Sequence, residues 1–205
     1  MTTSATLPLV PSVRRAHPNE AALLTDLALA AKAHWGYFPS FMAAAAAELT
    51  ITASDISQYD IHVAVLLSPS EPSPPVGVYR LTPLAAADGD GFDGELSYLW
   101  VHPSRIRHGL GSLLWEDAMR RAAGAGVARL SVDADPHAEG FYVRMGAERY
   151  GEVPSRSVPG RMLPLMAVDV GRALAVIEER KKEKEKEKEK EKEKEKEKEK
   201  EKNAI

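Results

Sequence analysis

Leu96-Ser97-Tyr98-Leu99-Trp100-Val101-His102-Pro103-Ser104-Arg105-Ile106-Arg107-His108-Gly109-Leu110-Gly111-Ser112-Leu113-Leu114-Trp115 is the stretch on which the reading of this chain turns. Residues from Glu95 to Val101 are strongly β-prone, and Pro103 ends the run because proline cannot continue a ladder. Gly109 then opens an amphipathic helix with Leu110, Leu113, Leu114, Ala118 and Met119 on its apolar side, and Gly124 and Gly126 punctuate its end. A strand that turns into a helix in this way leaves backbone N–H groups unpaired at the helix start. The helix dipole adds partial positive charge there. Glycine lets a phosphate approach such a backbone closely. Arg105, Arg107 and His108 crowd the same loop. The physics points to an anion site of the phosphate or pyrophosphate kind; the bland reading is that Gly109 and Gly111 only shape a tight turn. No Gly-Lys-Ser/Thr follows, so it is not a P-loop. Leu114 fills the third glycine position of a dinucleotide fingerprint, so it is not that either.

Working outward, Ala21 to Ala33 carries apolar residues at helical spacing, and a second helix is expected from Ser40 to Leu49 on the alanine run Ala43–Ala47. His62 to Leu67 and Val76 to Leu81 read as a hairpin around a Pro/Ser-rich turn, with a flexible loop from Ala85 to Gly94. Arg129 to Asp133 is a further strand and Ala138 to Met145 a short helix. Glu148–Val153 and Met162–Val170 are the last strands, joined by the loop from Pro154 to Arg161. A short strand at Val13-Arg14-Arg15 completes a mixed α/β pattern with one central sheet.

The chain has 205 residues and no cysteine, which removes disulfides, thiolate nucleophiles and cysteine-based zinc sites together. From Lys181 to Lys202 it alternates Lys and Glu almost strictly. That run holds 12 of the 27 basic and 10 of the 30 acidic residues, leaving 15 and 20 elsewhere, so the remainder is acidic by five charges. Phosphate-backbone affinity needs a clustered basic excess, so nucleic acid is a poor partner. No stretch is long and apolar enough to span a membrane. The first residues lack the pattern of a secretion signal, so a cytoplasmic home is the expectation. In a helix the alternation places opposite charges at i,i+3 and like charges at i,i+4, with no apolar face to dock. The expected organisation is a flexible lead-in over 1–10, a folded domain over 11–172, and a solvated tail over 173–205, mostly disordered with transient helix.

The residues around Gly109 resemble the coenzyme motif of the GNAT acetyltransferase superfamily, Q/R-x-x-G-x-G/A after a strand ending in V-x-P. The matching residues are Val101-His102-Pro103 and Ile106-Arg107-His108-Gly109-Leu110-Gly111. A second family landmark, an Asn, then Ala, Phe-Tyr and Gly, is matched by Asp135, Ala138, Phe141-Tyr142 and Gly146. The resemblance covers roughly residues 10–170. It implies a single mixed, mostly antiparallel central sheet flanked by helices, with acetyl-CoA as co-substrate and no metal. It further implies coenzyme contacts at Leu99, Val101, Arg107, His108, Gly109, Leu110, Gly111, Ser112, Asp135 and Ala138, those of Leu99 and Val101 through backbone. Ile106 stands where the family prefers Gln or Arg, and Asp135 where it prefers Asn.

Acetyl transfer to an amine needs a neutral amine, a stabilised oxyanion and a proton for the departing thiolate. By resemblance Tyr142 is the acid, against the plain alternative of core packing. Glu95 is the candidate base, with Asp93 close behind; a solvated carboxylate at a strand end is the other reading. His34, Trp35 and Tyr37 cluster at a helix break and are expected at the acceptor side, where aromatics hold an ammonium by cation–π attraction; interhelix packing is the alternative. The acceptor side is expected between the first two helices and the Pro154–Arg161 loop. The activity implied is N-acetylation of a small-molecule or amino-acid-like amine, in a family where homodimers are common. A non-catalytic acyl-CoA-binding module and a protein or peptide acetyltransferase are the two other readings.

Overall fold

The computed structural model describes residues 9–67, 73–84 and 91–203. Strand β1 (Val10–Arg15) leads into helices α1 (Ala21–Ala33), α2 (Pro39–Leu49) and α3 (Ala53–Gln58). Strands β2 (Asp60–Leu67), β3 (Gly77–Pro83) and β4 (Gly94–Val101) follow, then helix α4 (Leu110–Gly124). The chain continues through β5 (Arg129–Asp133), α5 (Glu139–Arg144), β6 (Glu148–Pro154), β7 (Met162–Asp169) and α6 (Val170–Asn203). The seven strands form one sheet in the order β1-β2-β3-β4-β5-β7-β6. Every neighbouring pair is antiparallel except β4 and β5, which run parallel.

The parallel pair shapes the molecule. β4 and β5 are in register only at Gly94↔Leu130 and Glu95↔Ser131. Beyond these the strands diverge, and the C-terminal half of β4 turns a hydrogen-bonding edge toward a gap in the sheet. A bulge lies in that half: Ser97 pairs with Arg80 and Trp100 with Val78, so Tyr98 and Leu99 together oppose Tyr79. Tyr98 takes a φ of 55°, a left-handed conformation that costs a non-glycine residue and accompanies such a bulge.

Helix α4 buries Leu110, Leu114, Trp115, Ala118, Met119 and Ala122 against one face of the sheet. Burial of each of the larger of these side chains contributes roughly 1.5–3 kcal/mol. Helix α1 covers the other face with Leu24 and Leu27, beside Ile61, Val63 and Val78.

Two expectations change and one element is added. Helix α3 falls in a stretch where the sequence predicts no element; its start is marked by Thr52, whose hydroxyl accepts from Asp55 N while the Asp55 carboxylate accepts from Thr52 N. β1 begins at Val10, inside the expected lead-in, and residues 1–8 of that lead-in lie outside the described residues, as do 68–72 and 85–90 of the two expected loops. The tail does not begin at 173. Val170, Ala173 and Ile177 of α6 are buried in the core, Arg180 donates to the Arg144 carbonyl, and Lys181 pairs with Glu116. The Lys-Glu run continues that anchored helix to Asn203. Lys and Glu are good helix formers, and a docked first segment removes the nucleation cost.

Candidate active site

Two pockets open along the gap between β4 and β5. The larger, a cleft of about 700 Å³, is lined by Leu99, Trp100 and Val101 of β4, the loop from Pro103 to Ser112, and Ala138, Phe141, Tyr142 and Arg144 around α5. The smaller, about 120 Å³, is lined by Glu48, Arg80, Glu95, Tyr98, Asp133 and Arg156 among others. Leu99, Trp100, Ala138 and Tyr142 belong to both walls, so a group that spans the two must pass these four side chains.

At one end of the cleft, Gly109 caps α4 with a φ of 81°, and no side chain caps the helix. The first N–H groups of α4 therefore face the cleft with the positive end of the dipole behind them. A Cβ at Gly111 would lie 3.3 Å from the Phe141 ring, so glycine here gives α4 and the Phe141 ring a close approach beneath the cradle. Arg107, itself left-handed at φ 64°, and Ser112 line the cleft. His108 turns its Nδ1 to the Ile106 carbonyl at 2.8 Å, which holds the turn. Leu110 is buried in the core, so only its backbone faces a ligand. The cradle, the open β4 edge at Leu99 and Val101 and the long cleft fit an extended thioester with a diphosphate at one end.

Tyr142 sits in α5 beneath both pockets, packed on Trp115 and Phe141 at ring-centroid distances of 5.8 and 5.3 Å. Burial, with the nearby Asp135 charge, pushes its pKa up, so the hydroxyl keeps its proton at neutral pH. Glu95 faces the smaller pocket, 3.9 Å from Arg80. Asp93 instead accepts from Ala128 N and Arg129 N and ties the start of β4 to β5. Asp133 at the end of β5 shares the Glu95 pocket. Burial and the Glu95 charge push its pKa up against the opposing pull of Arg156, 3.8 Å away.

Four sequence-predicted residues divide between the cleft, the smaller pocket and the network beside it. Asp135 lines the smaller pocket rather than the cleft. Its carboxylate takes Lys32 Nζ at 2.6 Å, the Tyr37 hydroxyl at 2.9 Å and Arg161 at 3.5 Å. Burial alone would raise its pKa, but the Lys32 hydrogen bond and charge outweigh this and hold it below the ordinary carboxylate value. Tyr37 belongs to the same network, its pKa pushed up to about 12 by burial and then by the Asp135 charge. His34 and Trp35 line the larger cleft, and Trp35 stacks on His137 with centroids 5.0 Å apart. A buried carboxylate needs cationic partners, and Lys32 and Arg161 supply them for Asp135.

Sequence reasoning passed over Glu48, Arg80, Asp133 and Arg156. Asp133 had a signal: it lies two residues beyond the partner of Glu95 on the adjoining strand. Arg80 had none, since its place depends on stacking between Tyr59 and Tyr98. Among the described residues, no three His, Asp or Glu side chains gather as a metal site, and no helix is long and apolar enough to cross a membrane.

A seven-stranded mixed sheet split between parallel β4 and β5, with a glycine-rich helix start at the split, is the acyl-CoA N-acyltransferase fold. The chain belongs to the acetyltransferase (GNAT) family, whose model matches residues 34–147. Similar solved structures include a GCN5-related N-acetyltransferase from Rhodopseudomonas palustris, at TM-score 0.60 and 20% identity over 81% of this chain and 99% of that one. PaiA N-acetyltransferase of Thermoplasma acidophilum, in complex with coenzyme A, gives TM-score 0.57 and 14% identity over 78% and 99%. The yncA protein of Salmonella typhimurium, with acetyl-CoA, gives 0.53 and 20% over 78% and 94%. At these identities the likeness is one of fold. No curated protein matches the sequence.

Proposed function

We propose that the protein transfers an acetyl group from acetyl-CoA to the primary amine of a small acceptor. The observation that carries this reading is the shared wall: Tyr142 and Leu99 lie where the cleft with the phosphate cradle meets a small pocket bearing carboxylates. Coenzymes of this class are bound by PaiA and yncA, which share the fold.

The N–H groups at the start of α4, with Arg107 and Ser112 beside them, hold the diphosphate, and the β4 edge at Leu99 and Val101 pairs with the amide-bearing arm. The coenzyme supplies an activated acetyl thioester. Glu95 takes a proton from the acceptor ammonium, which frees the nitrogen lone pair to form the new C–N bond. The C–S bond breaks, the Tyr142 hydroxyl gives its proton to the departing thiolate, and the second proton leaves the acylated nitrogen as the amide forms and restores the tyrosine. Backbone N–H on β4 stabilises developing negative charge on the carbonyl oxygen, where a preorganised donor is worth about 3 kcal/mol.

A thiol-release assay with acetyl-CoA and a panel of small amines and amino acids tests this. Release that depends on an amine and falls on Tyr142→Phe supports the reading. Tight coenzyme binding without release on any amine contradicts it.

A further inference from the structure

We infer that the acceptor is a small zwitterion, an amine that also carries a carboxylate or similar anion, and that Arg156 reads its anionic end. The inference rests on the acetyl-transfer reading and narrows its substrate class.

The smaller pocket carries both signs of charge. Glu48, Glu95 and Asp133 face it from α2, β4 and β5, and Arg80 and Arg156 are its lining cations among the described residues. The two arginines are held differently. Arg80 is fixed: its Nε donates to Ser97 Oγ at 3.0 Å, and its guanidinium lies between the Tyr59 and Tyr98 rings at 4.9 and 4.6 Å. Arg156 has a side chain 69% exposed and makes one ion pair, with Asp133 at 3.8 Å. A pair at that distance and exposure adds little stability.

The backbone around Arg156 is anchored although its side chain is not. Ser155 N donates to the Arg161 carbonyl at 2.8 Å, and Val158 N donates to Ser155 Oγ at 3.2 Å. Arg161 is in turn pinned by Tyr37 at 2.6 Å and by Asp135. The loop thus places a loosely held guanidinium over the mouth of the pocket.

A zwitterion completes this arrangement. Its ammonium replaces Arg156 beside Asp133 and Glu95, and its carboxylate takes the released guanidinium in the forked geometry that favours arginine. The exchange keeps every charge paired. A simple amine would bring an ammonium against Arg156 and give the guanidinium no anion in exchange. The volume, about 120 Å³, suits an amino acid with a short side chain, because it holds only about four waters at roughly 30 Å³ each.

The test compares initial rates of thiol release for matched pairs: an L-amino acid and the amine left when its carboxylate is removed. The wild-type chain is expected to prefer the amino acid by about 10- to 100-fold in kcat/KM, the worth of a charge-assisted hydrogen bond. Arg156→Gln should remove that preference, raising KM for the amino acid while the plain amine, relieved of the opposing guanidinium, is used no less well. Equal or better use of the decarboxylated amine, or an equal loss on both substrates in Arg156→Gln, overturns the inference while leaving acetyl transfer standing. If no member of either series releases thiol, acetyl transfer fails. Calorimetric titration of the amino acids into the protein with coenzyme A then decides the zwitterion site: binding lost in Arg156→Gln supports it, and no binding overturns it.

Discussion

Lys32 Nζ and Asp135 Oδ2 lie 2.6 Å apart, joining α1 to the residue just past β5 across 103 positions of sequence, with side chains only 11% and 3% exposed. Lys32 is the one lysine outside the Lys-Glu run, and its ammonium also sits over the rings of Tyr37, Phe41 and Trp100 at 5.2 to 5.6 Å. The pair fixes the helical cover of the site to the strand that ends at Tyr142's helix.

Lys32→Met leaves a buried carboxylate without its main cation and should destabilise the fold by about 3–5 kcal/mol, read from urea unfolding. Lys32→Met combined with Asp135→Asn should recover part of that loss, since the uncompensated charge is gone. Because the folded pKa of Asp135 is lowered, its stabilisation is present above the unfolded value near 4 and is lost as pH falls through the folded one. Thermal melts of the wild type should therefore drop more steeply below pH 4 than those of Asp135→Asn.

Gly109→Ala must adopt φ 81° with a Cβ, at a cost of about 1–2 kcal/mol, but the Cβ itself meets nothing within 4 Å. Gly111→Val brings heavier atoms onto Phe141. Calorimetry should show acetyl-CoA binding weakened by Gly109→Ala and abolished by Gly111→Val.

Tyr142→Phe keeps the packing on Trp115 and removes one hydroxyl. It should lower kcat about 100-fold, in the range for a lost general acid, with the coenzyme Kd changed less than about twofold. Rapid-quench and equilibrium titrations together check the split.

Glu95→Gln should lower kcat/KM by about 100-fold on a charged amine, since the ammonium loses its base. Asp133→Asn removes a neighbouring carboxyl whose pKa burial and the Glu95 charge raise, so its pH–rate profile should differ from wild type on the acid limb.

How much of this was written locally follows from which interactions are local. The α4 cradle, the strand leading into it and the order of most elements depend on glycine, proline and apolar period within a few residues, and the sequence shows them directly. Helix α3 lies in a six-residue run too short for periodicity, although its Thr52–Asp55 cap is visible. The Asp135 network and the pocket arginines bring together residues from α1, β3, β5 and the β6–β7 loop. No spacing along the chain encodes such a meeting. The role of α6 was hidden because the Lys-Glu run obscures the three apolar residues, Val170, Ala173 and Ile177, that dock it.

Cutting the chain after Lys182 should change the melting temperature by no more than about 2 °C, because residues 183–194 are solvent-exposed and pack on nothing in the core. Cutting after Asp169 removes Val170, Ala173 and Ile177 from the core and should prevent stable folding, as seen by loss of a cooperative melt.

The most direct measurement is calorimetric titration of acetyl-CoA into the wild-type chain and into Gly111→Val. Saturable one-to-one binding by the wild type, absent from Gly111→Val while its melt stays cooperative, is the predicted result. A wild-type chain that binds no acetyl-CoA, or a Gly111→Val chain that binds it equally well, would contradict the assignment of the cleft beside α4.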